Sequence, residues 1–249
     1  MTALNFTPSS GAAPRAAQVW AHATTEAGLI LRNGEQALLA LVIPIGILVG
    51  GRFLGSRLGL DFPTLAPSVL ALAIWSTCFT SLAIATGFER RYNVLERLAA
   101  TPLGRPGILL GKATAIALVT ALQVVVLIMV SLSLGWRPAF DAVALGVAVL
   151  ACLLAAGAFA GLALSIAGTA RPEVTLAVAN LIYLLALVGG GILLPVAAHP
   201  AWARPLVSLL PTAALGEALR SGTAMSLVVL AVWCAGTLVI ARKVFRWTS

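Results

Sequence analysis

Apolar and polar positions fall into long separate blocks along this chain. The stretches 36–51, 62–88, 113–136, 142–170, 174–203 and 221–241 contain no Asp, Glu, Lys or Arg. Most exceed the ~20 apolar residues that cross a bilayer as a helix. A backbone in hydrocarbon must satisfy its own hydrogen bonds, so each block predicts a helix. Six spans are expected, at about 36–54, 64–88, 108–135, 142–167, 174–194 and 226–241. The first is the weakest, because Pro44 interrupts it and Arg52 must snorkel outward. The expected class is an all-α, polytopic membrane protein with six transmembrane helices.

The segments between the blocks carry their own patterns. Residues 1–14 read as a flexible leader rich in Thr, Ser, Pro, Gly and Ala, and 15–249 as a single transmembrane domain. Over 15–33, Val19, Trp20, Ala23, Ala27, Ile30 and Leu31 recur at helical spacing opposite Gln18, Thr25, Glu26 and Arg32. That pattern predicts an amphipathic helix lying along the membrane surface. Gly46 and Gly50 form a GxxxG pair, which permits close helix approach within this chain or to a second one. After the fifth span, Pro195, Pro200, Pro205 and Pro211 cut the chain into pieces too short to cross. Residues 195–222 are therefore expected to dip back into the outer face as re-entrant helices.

Composition supports the membrane class. Of 249 residues, 60% are hydrophobic and only 10% charged, with a mean hydropathy of +1.03. A soluble domain carries about 25% charged residues. The net charge of +8 matters through its sidedness, since Lys and Arg concentrate in cytoplasmic loops. With an even number of spans, the side holding both termini carries eleven of the 16 basic residues, including Arg90, Arg91, Arg97, Arg105, Lys112, Arg171 and Arg242. Both termini are thus expected in the cytoplasm, with the chain in the cell's cytoplasmic membrane. The first fifteen residues lack a basic region running into an apolar core, so no cleaved signal peptide is expected. Cys78, Cys152 and Cys234 lie in different apolar blocks and read as small core residues.

Site chemistry is sparse. All eight acidic residues lie outside or at the borders of the uncharged blocks, so no carboxylate is expected at membrane depth to carry a coupling ion. The mid-span polar residues Gln123 and Asn180 fit hydrogen bonds between helices, with substrate contact as the alternative. His22 and His199 stand alone, and no hydrolase or metal motif occurs, so no catalytic, cofactor-binding or metal site is expected. Gly107 and Gly111-Lys112 are one residue too close for a phosphate-binding loop, and Ala113 replaces the Ser or Thr that would hold magnesium. Lys112 reads instead as a positive-inside anchor. If ATP powers this protein, ATP and magnesium sit on another polypeptide.

One polar device stands out, Glu89–Thr101, with the sequence ERRYNVLERLAAT. Written as a single helix ended by Pro102, it places Phe88, Tyr92, Leu95 and Ala99 on one face and Arg90, Asn93 and Arg97 on another. The first face would pack on the membrane domain and the second would enter a groove on a cytoplasmic partner. A surface helix that only satisfies the positive-inside rule is the competing reading.

On these residues the chain resembles the permease subunit of type-2 ABC exporters, the family of drug, polysaccharide and lipid export permeases. Glu89, Glu96-Arg97-Leu98, Thr101-Pro102-Leu103, Arg105 and Gly111-Lys112 look like that family's cytoplasmic loop after the second span. Pro211-Thr212 followed by Arg220 is similar to its signature before the last span. The family often has Gly-Thr where this sequence has Asn93-Val94, and usually a polar or basic residue where it has Ala214.

The resemblance implies a six-span permease that pairs with a second permease, identical or related, and with two copies of an ATP-binding subunit. Residues 89–101 would be the coupling helix, with Glu89, Arg90, Arg91, Tyr92, Leu95, Glu96, Arg97, Leu98 and Thr101 serving the ATPase. Gln123, Asn180, Pro211, Glu217 and Arg220 are the candidates for the substrate path. The expected cargo is a hydrophobic or amphiphilic small molecule such as a drug, because an apolar wall removes apolar surface from water at about 25 cal/mol per Å2. The alternatives are a lipid or lipid-linked glycan carried by the same machinery, and an ion-coupled carrier working without ATP. Membrane lipid is an expected partner and nucleic acid is not.

Overall fold

The computed structural model describes residues 11, 13–55, 61–138 and 141–247. The leader therefore lies almost wholly outside the described residues, as does Arg57 of the first outer loop. Among the described residues the fold is entirely helical. It comprises α1 (Arg15–Arg32), α2 (Gly34–Leu54), α3 (Phe62–Trp75), α4 (Leu82–Arg91), α5 (Val94–Ala99), α6 (Gly104–Ser133), α7 (Ala142–Ala167), α8 (Pro172–Gly189), α9 (Arg204–Ser208), α10 (Pro211–Ser221) and α11 (Ala224–Val244).

Five helical stretches are long and apolar enough to cross a membrane: Phe62–Arg91, Gly104–Ser133, Ala142–Ala167, Pro172–Gly189 and Ala224–Val244. In α2 the described apolar part, Ala40–Leu54, is shorter. Helix α8 stops at Gly189, five residues before the expected end of the fifth span, because the chain turns through Gly190 and Gly191, the latter at φ +69°.

Phe62–Arg91 forms the centre of the bundle. Every residue from Leu65 to Trp75 is buried, which a helix surrounded on all sides requires of a sequence with almost no polar side chains. Between α3 and α4 the helix widens into a π-helical segment, Ser76–Ser81, a form that usually appears as a short insertion in α-helix. Trp75 stacks on Phe79 with ring centroids 4.2 Å apart and meets Phe159 of α7 edge-on at 4.7 Å.

Small residues bring α7 and α11 together. A Cβ on Gly161 would stand 2.8 Å from both the carbonyl carbon and the Cβ of Thr237, and one on Gly157 2.6 Å from Cys234 Sγ. Thr237 Oγ1 uses this approach to donate to Ala158 O across the interface, at 3.0 Å. In lipid, packing of this kind holds helices together where apolar burial alone does not. Among the described residues nothing lies within 4 Å of such a Cβ on Gly46 or Gly50 of α2, so none of them packs against the GxxxG pair.

Helix α1 lies along α6, with Ala23 and Ala27 buried against Ala115 and Val119. Trp20 and Leu31, on the flank of the same stripe, are exposed. The stretch is helical, and its buried contact is a narrow stripe of alanines with Ile30 partly buried beside it.

Candidate functional site

The stretch Glu89–Thr101 is not one helix. Helix α4 runs through Arg91, the chain turns at Tyr92–Asn93, and α5 begins at Val94. The break is made by Asn93, at φ 56°. Asn tolerates the left-handed region better than other residues with a Cβ, because its short side chain can bond locally. Glu89, Arg90 and Arg91 consequently complete the long helix, and α5 comprises six residues, Val94 to Ala99.

This turn redistributes the expected faces. Leu95 is 1% exposed and anchors α5 against the membrane domain. Tyr92, expected on that packed face, is 59% exposed, because the turn rotates it outward. Arg90, expected to face a partner, is 6% exposed and donates from Nη2 to Ala170 O at 2.6 Å. It closes the end of α7 and cannot also reach out. Arg91 pairs with Glu173 at the start of α8.

Arg97 donates from Nη2 to Tyr92 O at 2.8 Å and so occupies an end carbonyl of α4. Thr101 Oγ1 donates to Leu98 O at 2.6 Å, closing the end of α5. Leu98 is half-buried, while Glu96, Arg97 and Thr101 are exposed. The result is a short knuckle with one buried leucine and a charged outer surface.

Glu89 is drawn inward rather than outward. Lys112 Nζ lies 2.7 and 2.6 Å from its two carboxylate oxygens and 3.0 Å from Glu26 Oε2 on α1. Lys112 is 4% exposed, so it is not the solvated anchor expected of a positive-inside lysine. A buried ammonium needs such partners to offset its lost hydration. His22, one turn before Glu26, has its Nε2 3.8 Å from that carboxylate. Burial holds the His22 pKa below its usual value, the nearby Lys112 charge adds to the effect and Glu26 opposes it. A cavity of about 180 Å³ opens beside this cluster, lined by Glu26, Ile30, Ser81, Glu89, Lys112 and Ile116 among others.

Of the candidate path residues, only Glu217 and Arg220 are brought into contact. Gln123 is buried; it accepts from Thr77 Oγ1 at 2.7 Å and donates to Ala40 O at 2.5 Å, joining α6 to the π-helical segment and to α2. Asn180 is exposed on the same open surface of α8 as Leu181 and Leu184, and makes no interhelical bond among the described residues.

At the opposite end of the bundle, Pro211 starts α10 and is buried. Arg220 donates from Nη1 to Ser68 Oγ and Ile192 O, and from Nη2 to Gly191 O and Glu217 Oε1, all within 3.1 Å. Glu217 Oε1 also accepts from Val196 N at 3.0 Å. Burial lowers the Arg220 pKa while Glu217 counters it. Glu217 and Arg220 thus form the frame of this segment, in which a guanidinium fork satisfies a turn with several free carbonyls.

Sequence reasoning missed Glu26, Ser68 and Ala170 O as partners. Each lies dozens of residues from the cation it meets, beyond any local spacing signal.

A family model described as ABC-2 type transporter matches residues 17–223. The chain belongs to the ABC-2 type transporter family. The match takes in α1, α5 and the Arg220 frame, and it ends just before α11. No curated protein matches the chain. The all-helical bundle and its apolar helices are those of a membrane component of such a transporter.

Proposed function

We propose that this chain is the permease subunit of an ATP-driven exporter, moving a hydrophobic or amphiphilic small molecule out across the cytoplasmic membrane. The reading rests on one observation: a chain of the ABC-2 type transporter family presents α5 as a separate knuckle, with Leu95 buried and Glu96, Arg97 and Thr101 exposed. In this reading α5 is the coupling helix and seats in a groove of an ATP-binding subunit. The absence of a phosphate-binding motif in the sequence agrees with nucleotide and magnesium being held there.

The rest of the arrangement follows from that assignment. Helix α2 is the first of six spans, tilted or locally thinning the bilayer to fit. Helix α1 lies at the inner surface, α9 and α10 re-enter from the outer face, and both chain ends are cytoplasmic. A second permease, identical or related, covers the open surfaces of α2 and α8. The GxxxG pair, unoccupied among the described residues, and the exposed Leu181, Leu184 and Leu185 support that contact. Two ATP-binding subunits complete the assembly, and the cargo passes between the permeases along walls of apolar side chains.

The test is export from inside-out or inside-loaded vesicles carrying the permease together with its ATP-binding subunit. ATP-dependent movement of a hydrophobic fluorescent dye is expected. Movement of the cargo by the permease alone, driven by a proton or sodium gradient, would replace this reading with that of an ion-coupled carrier. Movement only of a lipid or lipid-linked glycan would keep the machinery and change the cargo.

A further inference from the structure

We infer that Lys112 is a positioning residue that clasps α1 to the end of α4, so that the surface helix and the coupling helix move as one body. This rests on the assignment of α5 as the coupling helix and goes beyond it, since none of the three clasp residues belongs to α5.

Three elements separated in sequence meet at one ammonium. Lys112 comes from α6, Glu89 from the last turns of α4 and Glu26 from α1. Only Tyr92 and Asn93 separate α4 from α5, so a displacement of α5 reaches Glu89 through a single turn. A second observation shows that α1 is built to sit there. A Cβ on Gly111 would collide with the imidazole of His22, so α6 carries a glycine where α1 crosses it.

The rest of the α1 seat is on α6. Ala23, Ala27 and Ile30 pack with Ala115 and Val119, so apolar contact holds α1 chiefly to α6. Without the ammonium, Glu26 and Glu89 would be two carboxyl groups in a poorly solvated place, where one takes up a proton and the charged link from α1 to α4 is lost. The cavity lies between α1, α4 and α6 beside the cluster, so at this point the ion pairs rather than apolar contact join the helices. Lys112 therefore ties α1, which otherwise packs chiefly on α6, to the end of α4 and so makes it part of the moving unit.

The experiment measures the separation of spin labels at Ala21→Cys on α1 and Ala100→Cys beyond α5, with Cys78, Cys152 and Cys234 replaced by Ala, in the full chain in nanodiscs. A narrow distance distribution is expected for the otherwise native chain. Glu26→Gln, a mild change on an accessible helix, and Lys112→Met are each expected to broaden it. Lys112→Arg is expected to keep it narrow, and Glu26→Lys with Lys112→Glu is expected to restore it, because the swapped pair again sets one ammonium between two carboxylates. An unchanged distribution in Glu26→Gln, or a swap no better than Lys112→Met, overturns the clasp.

In the assembled exporter the native distance is expected to stay constant through the nucleotide cycle, and Lys112→Met to lower cargo exported per ATP several-fold. A native distance that changes between nucleotide states overturns the single-body movement. Absence of any ATP-dependent export instead defeats the exporter reading and leaves the nanodisc result standing.

Discussion

Arg220 Nη1 lies 2.8 Å from Ser68 Oγ, joining α10 to the most buried helix of the bundle across 152 positions of sequence. The same guanidinium covers the carbonyls of Gly191 and Ile192. One side chain thus closes the turn after α8, orients α10 and fixes both to α3.

Arg220→Ala is expected to cost about 3 kcal/mol, because it leaves two carbonyls unpaired in a poorly solvated site and takes from Glu217 its charge partner. Arg220→Lys is expected to lose much of this as well, since a single ammonium cannot reproduce the fork. Denaturation in mixed micelles reads the difference. Equal stability of the alanine variant and the native protein would contradict the frame.

Leu95→Asp is expected to leave insertion intact and abolish the productive seating of α5, because a carboxylate cannot occupy a site that is 1% exposed. In the assembled exporter, ATP hydrolysis should continue while export falls to background. Export at the native rate would remove α5 from the coupling path.

Asn93→Gly is expected to be tolerated and Asn93→Val to be harmful. At φ 56° a β-branched side chain pays a left-handed penalty of about 1–2 kcal/mol. The comparison of export and thermal stability between the two variants checks this, and an undisturbed valine variant would mean that the turn between α4 and α5 is not held as described.

Gly161→Ala is expected to separate α7 from α11 and to destabilise by about 1–3 kcal/mol, the usual range for overpacking. Gly146→Ala, on the same helix, has nothing within 4 Å of its new Cβ and serves as the neutral control. Denaturation midpoints of the two variants should differ clearly.

The seat of α1 is expected to weaken in acid. The His22 pKa is lowered in the folded chain from its usual 6.5, so the displaced state binds the proton more readily. Protection is therefore complete above pH 6.5 and is lost as pH falls through the depressed value. Hydrogen exchange across α1, corrected for intrinsic rates, should show this fall, and His22→Gln should flatten it. A profile that does not change in the variant would assign the effect to other groups.

The sequence by itself determined the class and much of the order of elements. Long uncharged blocks leave a chain in lipid little choice but helix, and the prolines between 195 and 211 must interrupt it. The Leu95 anchor was also legible, because i, i+3 and i+4 spacing is a local property of a helix. Local reasoning failed at Tyr92 and Arg90 because a single left-handed residue, Asn93, rotates everything beyond it relative to what precedes it.

Only the tertiary structure decided what the buried charges do. Lys112 reads as an anchor until α1 delivers Glu26 from 86 positions away, and Arg220 reads as an outer-face cation until Ser68 and the turn at Gly191 surround it. An apolar block announces itself by composition, since its burial depends only on solvent. An ion pair or a hydrogen-bond frame depends on which distant helices pack side by side, and that is settled by the fit of small residues such as Gly111 and Gly161.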